Sequence, residues 1–350
     1  MSSGTSLLDR CGYCDSPENL AVGCSGCEVM FYCSDEHKAA HHDVHEDACK
    51  AVFWSRTRYN SSETRIRIFS RAFDDDVGRF WQAPETREYM ETLVNLANAL
   101  GAMGTKTGVE KKLDYFTELL RLDRGDNSEV YTLVPALMLR LNKDQACYDF
   151  VVWWYRAIAV RADWHQLNVQ FLNLHNQNVL EKAAFLGLPY DLNHIAAVVF
   201  LKIKLLLDFE RLRLSTRTVG LWLPREILDQ IRLQIPASPI IARDRQLIER
   251  DDHKATVVML HTQIRILFRR VWYESNTYWR LLAAGIMLEH PSGLGIGGKT
   301  QTAFAKASPS WDTCALWKEN PVALKYLRIM IQYFSSTAIH GLYYNITRQL

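Results

Sequence analysis

Apolar residues recur along most of this chain in the three- and four-residue steps of helices that bury one face. "GVEKKLDYFTELLRLDRGDN" sets Leu113, Phe116, Leu119 and Leu120 on a single side of a helix. Just before it, "PETREYMETLVNLANALGAMG" begins with Pro84, suited to a first helical turn, and stops at Gly104. "SEVYTLVPALMLRLNK" and "DQACYDFVVWWYRA" predict two more short amphipathic helices, with "RGDN" and "NKD" as the turns. Further helices are predicted over residues 191–215, 224–235, 256–273, 277–288 and 321–335. Residues 51–83, rich in Arg, Ser and Asp, read as a linker. Convincing strand alternation is confined to the first fifty residues, so the expectation is a mainly α protein. Trp153, Trp154 and Tyr155 lie on a helical pattern and read as core.

Composition narrows this picture little: 48% hydrophobic and 23% charged residues over 350 positions describe an ordinary globular chain. The distribution of charge says more. Residues 1–50 hold three basic side chains (Arg10, Lys38, Lys50) against nine acidic ones, a balance of −6, while the rest carries 38 basic and 30 acidic, or +8. An acidic N-terminal module is a poor match to phosphate, so nucleic acid is not expected as a partner. The longest apolar stretch, "IAAVVFLKIKLLL" (195–207), is too short to cross a bilayer and carries Lys202 and Lys204. Residues 1–20 lack a basic region followed by an apolar run, so an intracellular protein without a membrane span is expected.

Six of the eight cysteines (Cys11, Cys14, Cys24, Cys27, Cys33, Cys49) fall in the first 49 residues, as two Cys-x2-Cys knuckles and two single positions. Paired thiolates at a tight turn, in a chain without an export signal, point to metal more than to disulfides. Zinc accepts any tetrahedral mix of Cys and His. Two closed sites need two histidines from the four in "YCSDEHKAAHHDVHEDAC". His37 follows Cys33, and His45 precedes Cys49, each at the x3 spacing of one helical turn. His41 and His42 have no such cysteine partner.

The order Cys-x2-Cys, Cys-x2-Cys, Tyr-Cys-x3-His, His-x3-Cys resembles a MYND-type zinc finger. The resemblance implies interleaved sites: Cys11, Cys14, Cys33 and His37 on one zinc, Cys24, Cys27, His45 and Cys49 on the other. "VMFYCSDEH" matches the family's entry into its last helical part, with Ser34 as an N-cap. His37 stands where that family more often has Cys. Lys38 and His42 stand where it usually has Gln and Trp, residues that help to receive proline-rich peptides. These departures bear on peptide recognition and leave metal binding alone. Neither site has a vacant position, so the zinc is expected to be structural. The helical segments resemble those of an expanded fungal family of MYND-finger proteins, and the paired helices resemble tetratricopeptide repeats, whose stacks present concave binding faces.

The resulting layout is a two-zinc finger at 1–50, a linker at 51–83, tetratricopeptide-like pairs at 84–160, and a further helical region at 161–350 with a glycine-rich loop near 289–319. The expected function is protein–protein interaction, as an adaptor, scaffold or regulator without catalysis, with proline-rich peptides among the candidate partners. Two alternatives compete. "GLGIGGKT" (Gly293 to Thr300) matches the phosphate-binding loop pattern, which needs a strand before it and a long helix after it. Some MYND proteins are SET-domain lysine methyltransferases, and a SET-less relative of these is the other alternative. "LNHIAAV" (192–198) has the Asn-His pair of the SET motif alone, on a helical pattern.

Overall fold

The computed structural model describes residues 7–159, 170–184, 186, 191–218, 220, 222–286 and 308–346. Its single described sheet is a two-residue antiparallel pair, β1 (Val22–Gly23) and β2 (Phe31–Tyr32), with Val22 opposite Tyr32. Helices follow: α1 (Asp35–Ala40), α2 (His42–Phe69), α3 (Ala72–Asp75), α4 (Arg87–Ala102), α5 (Lys106–Leu122), α6 (Val134–Arg140) and α7 (Asp144–Ala159). Then come α8 (Leu192–Thr218), α9 (Arg225–Leu233), α10 (Pro239–Ala242), α11 (Arg245–Glu249), α12 (Lys254–Glu274), α13 (Asn276–Ala284), α14 (Trp311–Lys318) and α15 (Pro321–Ile346). The chain is therefore mainly α, a small N-terminal module followed by a helical body.

The expected linker is corrected. Residues 42–69 contain neither glycine nor proline and form one unbroken helix that starts inside the cysteine-rich module. One line of the helix, a narrow seam, is covered: His45, within the finger, then Val52, Tyr59 and Ile66 toward the body, seven residues apart, with Tyr59 half-buried, the others buried and Ser62 beside them. Seven residues are about two turns, so these positions fall in a line. The seam packs on α4, where the Ser62 and Thr92 hydroxyls meet at 2.7 Å and the Tyr59 and Tyr89 rings lie 5.6 Å apart.

The two helix pairs are unequal. α4 and α5 form a hairpin turned at Gly104, whose φ of 70° suits glycine. The next pair opens with α6, only seven residues long, with Pro135 in its first turn and Asn142 in left-handed geometry just past its end. The two pairs are not copies of one repeat, so the regularity that the turns suggested does not extend along the body.

Helix α8 forms the centre. Over residues 192–209 nearly every side chain is buried, on all sides of the helix, and most of them are apolar. The body's helices surround it, with α6, α7, α9, α12, α14 and α15 all packed on it. Its two lysines are absorbed rather than solvated. Lys202 donates to the carbonyls of Val179 (2.9 Å) and Glu181 (3.1 Å) and to Gln263 Oε1 (2.7 Å); Lys204 pairs with Asp144 at 2.9 Å. Trp153, Trp154 and Tyr155 are buried, with Trp154 stacked on Tyr131 at 4.7 Å.

The glycine-rich motif Gly293 to Thr300 lies outside the described residues. The described elements on either side of it are helices, α13 and α14. His194 of the Asn-His pair sits on α8, fully buried, with Nε2 at 2.9 Å from the Tyr131 carbonyl.

Candidate metal centre

Each knuckle is shaped by its backbone before any side chain acts. The N–H of Asp15 bonds the carbonyl of Cys11 at 2.9 Å, and the N–H of Glu28 bonds that of Cys24 at 2.9 Å. Both Asp15 (φ 59°) and Glu28 (φ 63°) adopt the left-handed conformation, so the two Cys-x2-Cys segments close with the same turn. The hairpin delivers the next donors, because Cys24 follows β1 and Cys33 follows β2. Ser34 caps α1 by accepting from the N–H of His37 at 3.4 Å, as the sequence suggested, which turns His37 toward the first knuckle. His45 and Cys49 project from the first two turns of α2.

The eight predicted ligands come together as two groups of four, Cys11/Cys14/Cys33/His37 and Cys24/Cys27/His45/Cys49, with the donor atoms of each group within 4.8 Å of one another. In the first, Cys11 Sγ lies 3.5 Å from His37 Nδ1 and Cys14 Sγ 3.6 Å from Cys33 Sγ. In the second, Cys24 Sγ is 3.6 Å from Cys49 Sγ, and His45 Nε2 is 3.6 Å from Cys27 Sγ and 3.3 Å from Cys24 Sγ. A tetrahedral zinc with bonds of about 2.3 Å to sulfur and about 2.0 Å to nitrogen spaces its ligands by roughly 3.5–3.8 Å. The donor sets fit that ion. The two histidines present different nitrogens, Nδ1 at His37 and Nε2 at His45.

Electrostatics agree with a bound dication. Burial opposes ionisation of Cys11, yet the backbone N–H groups of Cys14, Cys33 and Tyr13 bring its thiol down to about 6. Burial and the Cys14 and Cys11 thiols push Cys33 up to about 11, and burial with Cys24 and Cys27 pushes Cys49 up to about 12. Thiols this close cannot all ionise unless a cation joins them. Burial, with His41 and His42 nearby, lowers the pKa of His45 and keeps it neutral, the state in which an imidazole can ligate.

His41 and His42 lie outside both groups. His41 Nδ1 is 3.2 Å from the Tyr32 hydroxyl and its ring stacks on His45 at 5.9 Å, while His42 is exposed beside Asp43. Two glycines allow the close packing. A Cβ at Gly26 would lie 2.7 Å from Cys49 Sγ, and one at Gly12 would lie 2.9 Å from His41 Nδ1.

Sequence reasoning missed the groups that fasten this module to the body. Arg56, two turns beyond Cys49 on α2, donates to the carbonyls of Gly26 and Cys27 at 2.8 Å each. Asp9 accepts from the Thr107 N–H (2.9 Å) and hydroxyl (2.6 Å), in the first turn of α5. Cys27 and Val29 share a buried cluster with Val52, Leu96 and Leu100. The second four-donor group therefore sits against the body, whereas the first faces outward, with Cys14 exposed. Arg56 lies within residues 51–83, whose composition suggests a linker rather than an anchor for the finger.

Two interleaved Cys/His groups, built on a hairpin and two helix starts, place the module in the zinc-finger class. Residues 11–49 match the family described as the MYND finger, and that segment is a MYND finger. The match covers the finger alone. Among curated proteins and solved structures, nothing matches the chain. No described helix is long and apolar enough to cross a membrane.

Proposed function

We propose that the chain is a zinc-stabilised protein-interaction molecule, an adaptor or regulatory scaffold acting inside the cell, with two structural zinc ions and no catalysis of its own. The observation that carries this reading is the donor count: four protein ligands at each site complete a tetrahedron and leave no position for water or substrate. Zinc in such sites supplies folding energy, about 10–16 kcal/mol of apparent binding in small fingers at neutral pH. The cysteines outside the finger, Cys147 and Cys314, are free and buried, in keeping with a reducing compartment.

Proline-rich segments are the partner class proposed for the finger. Lys38, where the family usually has Gln, reaches the Gly23 carbonyl at 3.4 Å, and His42 takes the usual Trp position as a solvated side chain. Tyr13 remains half open next to the His37 ring, at 5.0 Å, and supplies an aromatic face for proline rings. Titration of the zinc-loaded chain with proline-rich peptides, followed by amide shifts, tests this. Perturbations centred on Tyr13 and lost in Tyr13→Ala support the reading. If no peptide perturbs the finger, and pull-downs recover the same partners with intact and Cys24→Ala chains, the binding role passes to the helical body.

A further inference from the structure

We infer that the outer face of α12, α13 and α15 is a second docking surface, independent of the finger, for an acidic protein helix with an aliphatic stripe. Helices α12 and α15 run side by side in the same direction: His261 Nδ1 is 2.9 Å from the Tyr326 hydroxyl, and about two turns further on the Phe268 and Phe334 rings lie 4.9 Å apart. α13 joins them through Arg280, whose guanidinium lies over Trp272 at 5.5 Å, and through its Ala283 carbonyl, which accepts from Arg328 at 3.2 Å.

The charge on this face is one-sided. Arg265, Arg269, Arg280, Lys325 and Arg328 are exposed, and none of them makes an ion pair among the described residues. Across the three helices the sequence offers one carboxylate, Glu274. Several exposed arginines elsewhere are neutralised: Arg65, Arg67 and Arg121 pair with glutamates. Here the guanidinium groups of Arg265, Arg280 and Arg328 rest on aromatic rings and a carbonyl instead. Arg265 lies 5.3 Å over the Tyr333 ring, and its Nη2 is 3.2 Å from that residue's hydroxyl. Such contacts hold the guanidinium plane in place while leaving its charge unneutralised, which lowers the entropy lost on binding.

The same helices expose apolar side chains: Ile266 and Tyr273 on α12, Ile329 on α15. Arg and Tyr are enriched at protein interfaces, and exposed aliphatics on helices that also carry unneutralised cations suit a helix that brings carboxylates beside an apolar stripe. Phosphate backbones would use the cations but not the isoleucines.

The test uses full-length zinc-loaded chain and a fluorescent amphipathic peptide with glutamates flanking a leucine stripe. Controls are poly-glutamate and a single-stranded oligonucleotide of equal charge. The proposal expects the amphipathic peptide to bind about tenfold tighter than either control, as aliphatic burial adds to charge attraction. Arg265→Glu with Arg269→Glu should weaken it by about tenfold or more, and Ile266→Ser with Ile329→Ser by about fivefold, each with unchanged circular dichroism. Absence of peptide binding, equal binding of a control, or indifference to either double variant overturns it. Self-association of the wild-type chain that charge reversal abolishes also overturns it, in favour of a second copy as occupant. None of these outcomes bears on proline-rich peptides at the finger, which are read separately.

Discussion

At the scale of single residues, the finger depends on side chains that nearly touch. Gly26 passes so close to Cys49 that an added methyl would collide with the ligand sulfur. Gly26→Ala is expected to reduce the metal content by one ion per chain. His41→Ala is expected to leave the content unchanged, since His41 belongs to neither group. Metal analysis of the two variants distinguishes them. In the body, Lys202 gives a pH signature. Burial lowers it to about 8 from 10.5, despite the opposing pull of Glu181, so between those values the unfolded chain holds a proton that the folded chain has released. Stability should therefore gain a rising contribution as pH increases above about 8, the penalty for the buried charge being complete below that point. Urea unfolding of wild type and Lys202→Met from pH 7 to 9.5 reads it: the wild type should show the extra upward slope and the variant should lack it.

Helices show where the sequence was legible and where it was not. The finger could be read because metal ligation needs donors at short, fixed spacings, and α4, α5 and α12 because each buries a broad apolar stripe. α2 was missed because its seam uses about one covered side chain every two turns, among them a buried histidine and a half-buried tyrosine, leaving an exposed surface of Arg, Ser and Thr that looks like a linker. The short helices α10, α11 and α14 carry too few residues for a period to emerge. Their caps, Ser238, Asp244 and Ser310, hold them instead. The predicted helix at 277–288 ends sooner because Gly285 takes φ 67° and terminates it. A proline gives a sharp test of α2. Ser61→Pro at this exposed position would be neutral in a linker, but in a continuous helix it should cost about 3 kcal/mol or more, visible as a lowered melting temperature.

Taken as a whole, the molecule is tied together by contacts between residues distant in sequence. Asp312 on α14 is buried between Lys112 of α5, at 2.7 Å, and Arg140 of α6, at 3.3 Å, while Arg140 also reaches Glu319 at 2.7 Å. Asp312→Ala would leave two buried cations short of a partner and should destabilise the body by about 3–5 kcal/mol in chemical denaturation. The finger joins this assembly through Arg56, Asp9 and the cluster around Val29, so the two metal sites should differ in reach. Cys24→Ala is expected to lower the melting temperature of the helical body, and Cys14→Ala to leave it nearly unchanged. The most direct measurement is native mass spectrometry of the purified chain before and after a chelator, paired with amide exchange over residues 11–49. Two zinc ions per chain, with that segment losing protection as they are removed, is the predicted result. One ion or none in a chain whose segment stays protected would contradict the account.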